Sequence, residues 1–322
     1  MLSIVFYVCP QTVCSSLSVA CDAFALANQL AEQPLFNLQR CSLDARPVDL
    51  GFARIQVDGG LELASSADLL IIPATGSAID TSLCANAALI TWLAQRPASQ
   101  QIASLCSSAF LIAAAGLLDG HRATTHWALA RQFRQRFPQV NLEIAELLCH
   151  DGNLLSSGGA QAGLDLCLYL ITWHAGTGLA QQVANALVFD TQRGQQSRFA
   201  PLLPSIDPGD SQLRPLLQWM QQHHAEPIDL NRLAAQAKCS SRTLLRRFKS
   251  STGLTPNDYL QRLRISAAQT ALRNPARSLE QVAEQIGYAD RATFAKRFKQ
   301  LCGEAPGAFR RRMRAPTETL PD

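Results

Sequence analysis

The chain has 322 residues, 47% of them hydrophobic and 17% charged, which is an ordinary globular composition and long enough for two domains with cores of their own. The ten Cys lie apart, with no C-x-x-C pair and no Cys and His at metal-ligand spacing, so the sequence argues against a zinc site or a disulfide framework. Residues 211–322 hold 19 Lys and Arg against 9 Asp and Glu, a net +10, whereas residues 1–210 hold 10 against 16, a net −6. This asymmetry is typical of a nucleic-acid-binding domain attached to a domain that does not itself bind DNA.

The first residues predict neither a targeting signal nor a membrane span. The apolar segment 4–8 lacks a basic flank and is too short for either. Together with the reduced thiols that the cysteine spacing favours, this predicts a cytoplasmic protein without membrane contact.

Strands and helices are predicted to alternate along residues 1–190. Short apolar runs bounded by turn residues predict strands, and apolar residues at helical spacing predict helices. The predicted strands are 2–8, 36–43, 67–74, 102–105, 142–149 and 153–156, with a hairpin at 54–63. The predicted helices are 15–33, 85–95, 107–115, 125–137, 160–174 and 179–187. The alternation predicts a layered α/β domain with a mostly parallel sheet.

Residues 191–210 are predicted to be a linker between two domains. Pro201, Pro204, Pro208 and Gly209 crowd a stretch with little periodicity, and the prolines predict limited stiffness. The second domain is then expected to cover residues 211–322.

The segment around Cys106 predicts an unusual turn. A strand ends at Leu105, Cys106 turns sharply and a helix begins at Ser107, which is the geometry that exposes a nucleophile at the edge of a sheet. The positive end of the helix is expected to favour the thiolate. The alternative is that Cys106 is a small buried hydrophobic residue.

Residues 4 to about 188 resemble the DJ-1/PfpI superfamily, which is similar to class I glutamine amidotransferases. The resemblance is carried by Cys106 at the turn and by the segments 116–120, 123–127 and 151–159. If the domain were an enzyme, the resemblance would make Cys106 the nucleophile, His126 the base and Asp22 the acidic partner. Ser107 stands where peptidase-like members have a His, so a non-catalytic domain is predicted, with Cys106, Asp22 and His126 contacting a ligand.

Two alternatives remain open for this domain. One is a Cys-dependent enzyme of the DJ-1 type that acts on a small carbonyl or amide, and the other is a thiol redox sensor acting through Cys106. For the sensor of a metabolite, Trp92, Trp127 and Trp173 are candidates for an aromatic wall around a cationic ligand, or else core residues.

Residues 228–314 contain one pattern twice. Each copy predicts a short helix, a tight turn, a second helix and a stop, with an offset of 49 residues before the turn and 50 after it. Apolar residues four apart define one buried face in each second helix. Asp229 and Ser278 are predicted helix N-caps, and Ser278 forms a capping box with Gln281. Gly287 occupies the second turn, where the first copy has Lys238.

This region resembles the C-terminal DNA-binding domain of AraC-family transcription regulators. The resemblance is carried by the stops Gly253-x-x-Pro256 and Gly303-x-x-Pro306 and by the phrase at residues 286–288. A helix over 256–273, about 27 Å long, is expected to hold two helix-turn-helix units for successive major grooves, roughly 34 Å apart. The alternative is a basic helical bundle whose charges are only a solvated surface.

The resemblance implies an all-α domain that binds double-stranded DNA in a sequence-specific manner. Base edges or nearby phosphates are expected to be contacted by Ser241, Arg242, Arg246, Arg291, Thr293 and Lys296, and phosphates by Lys249 and Lys299.

The pairing of the two domains resembles a branch of regulators whose N-terminal domain senses an amine, an amino acid or a quaternary ammonium compound. It implies a transcriptional activator that forms a homodimer through residues 1–190, with RNA polymerase as a candidate partner. Neither a cofactor nor a metal is predicted.

Overall fold

A computed structural model of the chain describes residues 1–96, 100–159, 161–191, 195–196, 202–203 and 213–314. The chain forms two compact units, Met1–Gln196 and Ser197–Asp322. The boundary between them falls inside the predicted linker, whose prolines lie outside the described residues. No helix among the residues described is both long enough and apolar enough to span a bilayer.

The first unit is built on a six-stranded sheet. The strands of the unit are β1 (Leu2–Tyr7), β2 (Phe36–Cys41), β3 (Val48–Asp49), β4 (Arg54–Ile55), β5 (Leu69–Ile72), β6 (Gln101–Leu105), β7 (Arg122–Ala123), β8 (Asn141–Leu142), β9 (Leu148–Asp151) and β10 (Leu154–Ser157). The order in the large sheet is β2-β1-β5-β6-β10-β9, with every pairing parallel except the edge strand β9 on β10. This confirms the predicted mostly parallel α/β domain.

Helices cover both faces of the sheet. They are α1 (Cys14–Leu30), α2 (Leu61–Ser66), α3 (Ile79–Ala85), α4 (Ala87–Gln95), α5 (Ala109–Ala114), α6 (Ala130–Arg136), α7 (Ala162–Ala175) and α8 (Thr177–Ala186). Successive strand residues point to opposite faces, so Leu69 and Ile71 enter the core with α1, α7 and α8. Leu70 and Ile72 enter the core on the other side, with α3 to α6.

The predicted hairpin at residues 54–63 is wrong. Strand β4 pairs with β3, and helix α2 begins directly after Gly60. Asp58 forms an ion pair with Arg40 of β2 at 2.9 Å, and the Glu62 carboxylate accepts the Gly60 N–H at 2.7 Å. These carboxylates therefore fix a strand edge and a helix start, which the local turn pattern does not encode.

Three predicted helices have different bounds. The helix predicted at 85–95 is preceded by α3, because the Asn86 side chain interrupts the run: it donates to the Ser82 carbonyl and accepts from the Tyr7 hydroxyl at 3.0 Å. The helices predicted at 107–115 and 125–137 each begin with one 3-10 turn before α5 and α6. At Asn86 a tertiary hydrogen bond, rather than apolar spacing, accompanies the boundary between α3 and α4.

The second unit is helical. Its helices are α9 (Leu213–His223), α10 (Leu230–Gln236), α11 (Ser241–Thr252), α12 (Pro256–Ala271), α13 (Leu279–Gln285), α14 (Arg291–Cys302) and α15 (Pro306–Arg314). The N-terminal half of α12 packs into the core of the first copy through Tyr259 and Leu263. Its C-terminal half packs into the core of the second copy through Ile265 and Ala268. One helix about 24 Å long therefore joins two small cores.

The predicted helix N-caps are confirmed. The Asp229 carboxylate accepts the Arg232 N–H at 2.7 Å, and Ser278 and Gln281 form the capping box. The turn of the first copy takes the same left-handed conformation as that of the second, with φ 50° at Lys238 and 85° at Gly287. The sequence difference at this turn therefore leaves its backbone unchanged.

Candidate nucleic-acid interface and Cys106 site

Helices α11 and α14, the second helix of each copy, are called here the recognition helices. Leu244 and Phe248 bury one side of α11, and Phe294 and Phe298 bury the corresponding side of α14. Side chains off these positions are left for another molecule to contact.

The exposed side of α11 is a single cationic face. Arg242, Arg246 and Lys249 are all exposed, and their spacings of four and three place them on one side of the helix. In α14, Lys296 and Lys299 are exposed at the equivalent positions. The two recognition helices therefore present a matching cationic pair, and α11 adds a third charge.

Arg291 does not lie at the position equivalent to Arg242. The equivalent of Arg242 in α14 is Ala292, so Arg291 lies one position earlier, beside the shared face. Its guanidinium forms an ion pair with Glu280 of α13 at 2.7 Å. The first copy has a neutral version of this contact, in which the Ser241 hydroxyl donates to Asn231 Oδ1 at 3.2 Å. The first residue of each recognition helix thus helps to fix that helix to the helix before it.

Thr293 lies at the exposed N-terminal end of α14. Its backbone N–H donates to Asp290 Oδ1 at 2.7 Å, which caps the helix. Leu245, an exposed apolar residue on α11, was not predicted as a site residue from the sequence. Leu245 borders a groove of about 280 Å³ that is also lined by Leu230 and Pro256.

The turn of the second copy packs closely against the segment that precedes the first copy. A Cβ on Gly287 would lie 2.4 Å from the Ala225 carbonyl oxygen, so only glycine permits this approach. Beside it, the Arg264 guanidinium of α12 donates to the His224 and Glu226 carbonyls at 2.8 and 2.9 Å. These contacts fix the turn of one copy against the segment that precedes α10 of the other.

Cys106 stands at the predicted sharp turn. Its φ of 61° is in the left-handed region, which a non-glycine residue adopts only when its surroundings hold it there. The Thr125 hydroxyl donates to the Cys106 carbonyl at 2.9 Å, and the Ser108 hydroxyl donates to the Ile72 carbonyl at 2.6 Å. These bonds tie the turn to the end of β5 and to the loop that follows β7.

The expected preference for the thiolate is not found. Burial raises the pKa of the Cys106 thiol to about 11, and the Ser107 N–H opposes this only in part. The thiol is followed by a single 3-10 turn, and α5 begins only at Ala109, so the helix end contributes little. Desolvation therefore outweighs the helix dipole.

Slow alkylation of Cys106 at neutral pH is the expected consequence. Against a thiol at the usual value of 9, a pKa of about 11 reduces the thiolate fraction at pH 7 by roughly 100-fold, and the rate should keep rising tenfold per pH unit to about pH 10. Iodoacetamide labelling with peptide mass spectrometry measures this, with the exposed Cys84 as an internal comparison. A rate at Cys106 that is already maximal at pH 8 would contradict the placement of this thiol.

His126 is arranged as a donor. Its Nδ1 accepts the Ala128 N–H at 3.1 Å, which leaves the proton of the neutral ring on Nε2. Burial lowers the pKa of His126, which favours the neutral ring at pH 7. The ring edge lies against Gly159, where an added Cβ would be 3.6 Å from Nε2. A ring with this tautomer offers an N–H to a ligand but no free nitrogen to act as a base.

Asp22 is exposed on α1, and the structure does not place it with Cys106 and His126. Ser16 of α1 lies at this edge of the sheet, where its buried hydroxyl accepts the Ala74 N–H at 3.0 Å. Asp22 lies six residues further on, about 9 Å along the helix axis. Of the three residues expected to act together, the structure therefore brings Cys106 and His126 to one region.

Two polar groups that were not predicted from the sequence lie at this edge. Thr75 follows β5 and Ser157 ends β10, on either side of β6 and Cys106. Both hydroxyls are buried and have no hydrogen-bond partner within the described ranges. The carboxyl ends of adjacent parallel strands meet at one edge of a sheet, which was the available signal. Unpaired buried hydroxyls at such an edge are suited to hold a polar ligand.

The three candidate tryptophans are separated. Trp127 adjoins His126, with ring centroids 5.0 Å apart. Trp92 packs against the core that contains Leu70 and Ile72, and Trp173 is 48% exposed near the end of α7, beside His150. Only Trp127 contacts the residues of the Cys106 site, so the three do not form one aromatic wall.

Comparison with known proteins matches both units. Residues 41–172 match the DJ-1/PfpI family and residues 233–312 match a helix-turn-helix domain. The chain is 28% identical to the HTH-type transcriptional regulator GbdR of Pseudomonas aeruginosa over 294 residues, covering 90% of this chain and 79% of GbdR. It is 28% identical to the HTH-type transcriptional regulator GlxA of Rhizobium meliloti over 313 residues, covering 92% of each.

The fold of the first unit is also found among solved structures. The crystal structure of Drosophila melanogaster DJ-1beta superposes with a TM-score of 0.50 at 18% identity, covering 59% of this chain and 98% of that one. At this identity the similarity establishes the fold alone.

Proposed function

Since the chain is an AraC-type transcriptional regulator with an N-terminal DJ-1/PfpI domain, we propose that α11 and α14 bind successive major grooves of one DNA duplex. The observation that carries this is the matching face of the two helices: Arg246 with Lys249 in α11, and Lys296 with Lys299 in α14. Helix α12 packs into the cores of both helix-turn-helix copies, and the contacts at Gly287 keep the separation of the two recognition helices constant.

The individual contacts follow from where each side chain lies. Arg242 and Arg246 are proposed to contact base edges in one groove, and Lys296 does so in the other. Lys249 and Lys299 lie about one turn closer to the C-terminal ends of the two helices, where they are proposed to bind DNA phosphates. The N-terminal ends of these helices carry Ser241, Arg291 and Thr293. These residues are proposed to position each helix and to contact the DNA phosphates. Leu245 is suited to an apolar contact with a thymine methyl group.

The first unit is proposed to hold a small polar effector at the Cys106 site without catalysis. The raised pKa of the Cys106 thiol argues against a role as nucleophile, and the donor tautomer of His126 argues against a role as base. Both side chains are suited to contacting a ligand. The buried hydroxyls of Thr75 and Ser157, which no described residue pairs with, supply further contacts. An amine or amino acid is the proposed class, and Asp22, exposed on α1, is left outside the site.

Regulation is proposed to act through a homodimer in the cytoplasm. Effector binding to the first unit would favour one arrangement of the two DNA-binding units of a dimer, or their access to RNA polymerase, and so activate transcription. Either route requires the effector to bind one state more tightly than the other.

Selection from a random DNA pool tests the DNA-binding proposal. The full-length protein is expected to enrich a sequence with two conserved segments and to bind it at least 1,000-fold more tightly than unrelated DNA. Enrichment of no sequence, at salt concentrations where the protein binds DNA at all, would contradict the proposal.

A further inference from the structure

The chain leaves the first unit through a glutamine that is packed inside it. Gln196 is the last residue of that unit and is 2% exposed, and its backbone N–H donates to the Ala145 carbonyl at 2.9 Å. Its neighbour Gln195 is exposed, with its side-chain amide donating to Glu146 Oε1 at 3.1 Å. A specific site therefore holds the side chain of Gln196 and not that of Gln195.

Three oxygens converge on the side-chain nitrogen of Gln196. They are Thr124 Oγ1 at 2.9 Å, the Thr125 carbonyl at 2.9 Å and the Glu146 carbonyl at 3.0 Å. A carboxamide nitrogen has two N–H donors, so it cannot give each oxygen a hydrogen of its own. The Gln196 Oε1 is buried and has no partner in the part of the chain that is described. The site therefore fits the carboxamide poorly at both of its polar atoms.

The site adjoins Cys106 through Thr125. The carboxamide fits only because residue 158 is glycine: a Cβ there would lie 2.7 Å from the Gln196 side-chain atoms. Gly158 directly follows Ser157, whose buried hydroxyl has no hydrogen-bond partner among the residues that the structure describes. Thr125, which supplies one of the three oxygens, also donates its hydroxyl to the Cys106 carbonyl.

We propose that the three oxygens form a subsite for a primary ammonium group, and that the effector occupies it by displacing the Gln196 carboxamide. This inference rests on the proposed effector-dependent regulation. A primary ammonium has three N–H donors, one for each oxygen, whereas a quaternary ammonium has none. Its positive charge suits residues 1–210, which carry a net −6.

The position of Gln196 links this subsite to regulation. Displacement of the carboxamide releases Gln196, the last residue of the first unit, from its site. Ligand binding at the subsite and release of the Gln196 side chain are then one event. The free energy that holds Gln196 in its site therefore reduces the free energy of ligand binding.

Amine binding to the full-length protein tests the subsite. Wild type, Gln196→Ala and Gln196→Ser are titrated with n-butylammonium, and with butyltrimethylammonium as a probe of similar chain length without N–H donors. Removal of the competing carboxamide is expected to tighten n-butylammonium binding at least tenfold and to leave butyltrimethylammonium unchanged. Gln195→Ala, the same substitution at the exposed neighbour, is expected to bind as wild type does.

A second variant acts in the opposite direction. Gly158→Ala places a methyl group where the carboxamide lies, so n-butylammonium binding should be lost. Equal affinities in Gln196→Ala and Gln195→Ala, an equal gain for the quaternary probe, or unchanged binding in Gly158→Ala would each overturn the subsite. Wild-type DNA selection is measured separately: its failure contradicts the proposed function, whereas unchanged amine affinities contradict the subsite alone.

Discussion

Gly287→Ala is expected to destabilise the second unit by roughly 3 kcal/mol or more. The substitution has two costs, because the residue keeps a φ of 85° and its new methyl carbon would lie 2.4 Å from the Ala225 carbonyl oxygen. That oxygen belongs to backbone that Arg264 also holds through the neighbouring carbonyls, so it cannot move aside cheaply. Urea unfolding followed by hydrogen exchange of residues 213–314 measures the loss.

Gly253→Ala separates the two costs. Gly253 ends α11 with a φ of 75°, but an added Cβ meets nothing within 4 Å, so only the backbone cost of about 1 kcal/mol applies. A Gly287→Ala variant no less stable than Gly253→Ala would show that the contact between the two copies is not tight. We also expect Gly287→Ala to lose DNA specificity more than Gly253→Ala, since it disturbs the separation of the recognition helices.

Arg246→Ala is expected to weaken binding to the selected DNA by roughly 10- to 100-fold. Arg246 lies in the middle of the cationic face of α11, where a bidentate contact with a guanine contributes about 1–3 kcal/mol. The loss should be specific, with affinity for unrelated DNA changing much less. Equilibrium binding at one fixed salt concentration measures both affinities.

Arg214→Ala is the matched control for charge. Arg214 is also exposed, but it lies on α9 and outside both recognition helices. The substitution removes the same charge, so it should weaken specific and unrelated DNA alike, by severalfold at most. Equal effects of the two substitutions would mean that α11 binds DNA through charge alone.

The duplicated unit could be predicted closely from sequence because its signals are local. The N-caps at Asp229 and Ser278 and the stops at Gly253 and Gly303 each act within one helical turn. The contact that holds the copies together could not be predicted, since it joins Gly287 to Ala225, 62 residues away. Sequence spacing explains why glycine suits a turn, but not what packs against it.

The Cys106 site was only partly predictable for the same reason. The turn at Cys106 follows from a strand running directly into a helical segment, and its φ of 61° agrees with that prediction. The pKa of its thiol depends on burial by distant segments, which the local sequence does not report. Thr75, Ser157 and Gln196 meet only when the strand order is known, and the exposed position of Asp22 depends on how α1 packs.

A DNA selection repeated with Arg246→Ala and with Lys296→Ala tests the central claim most directly. If α12 presents two recognition helices to successive major grooves, each substitution should relax a different segment of the selected sequence. The two relaxed segments should lie about 10 base pairs apart. Relaxation of the same base pairs by both variants, or of none by either, would contradict two recognition helices bound at a fixed separation along the duplex.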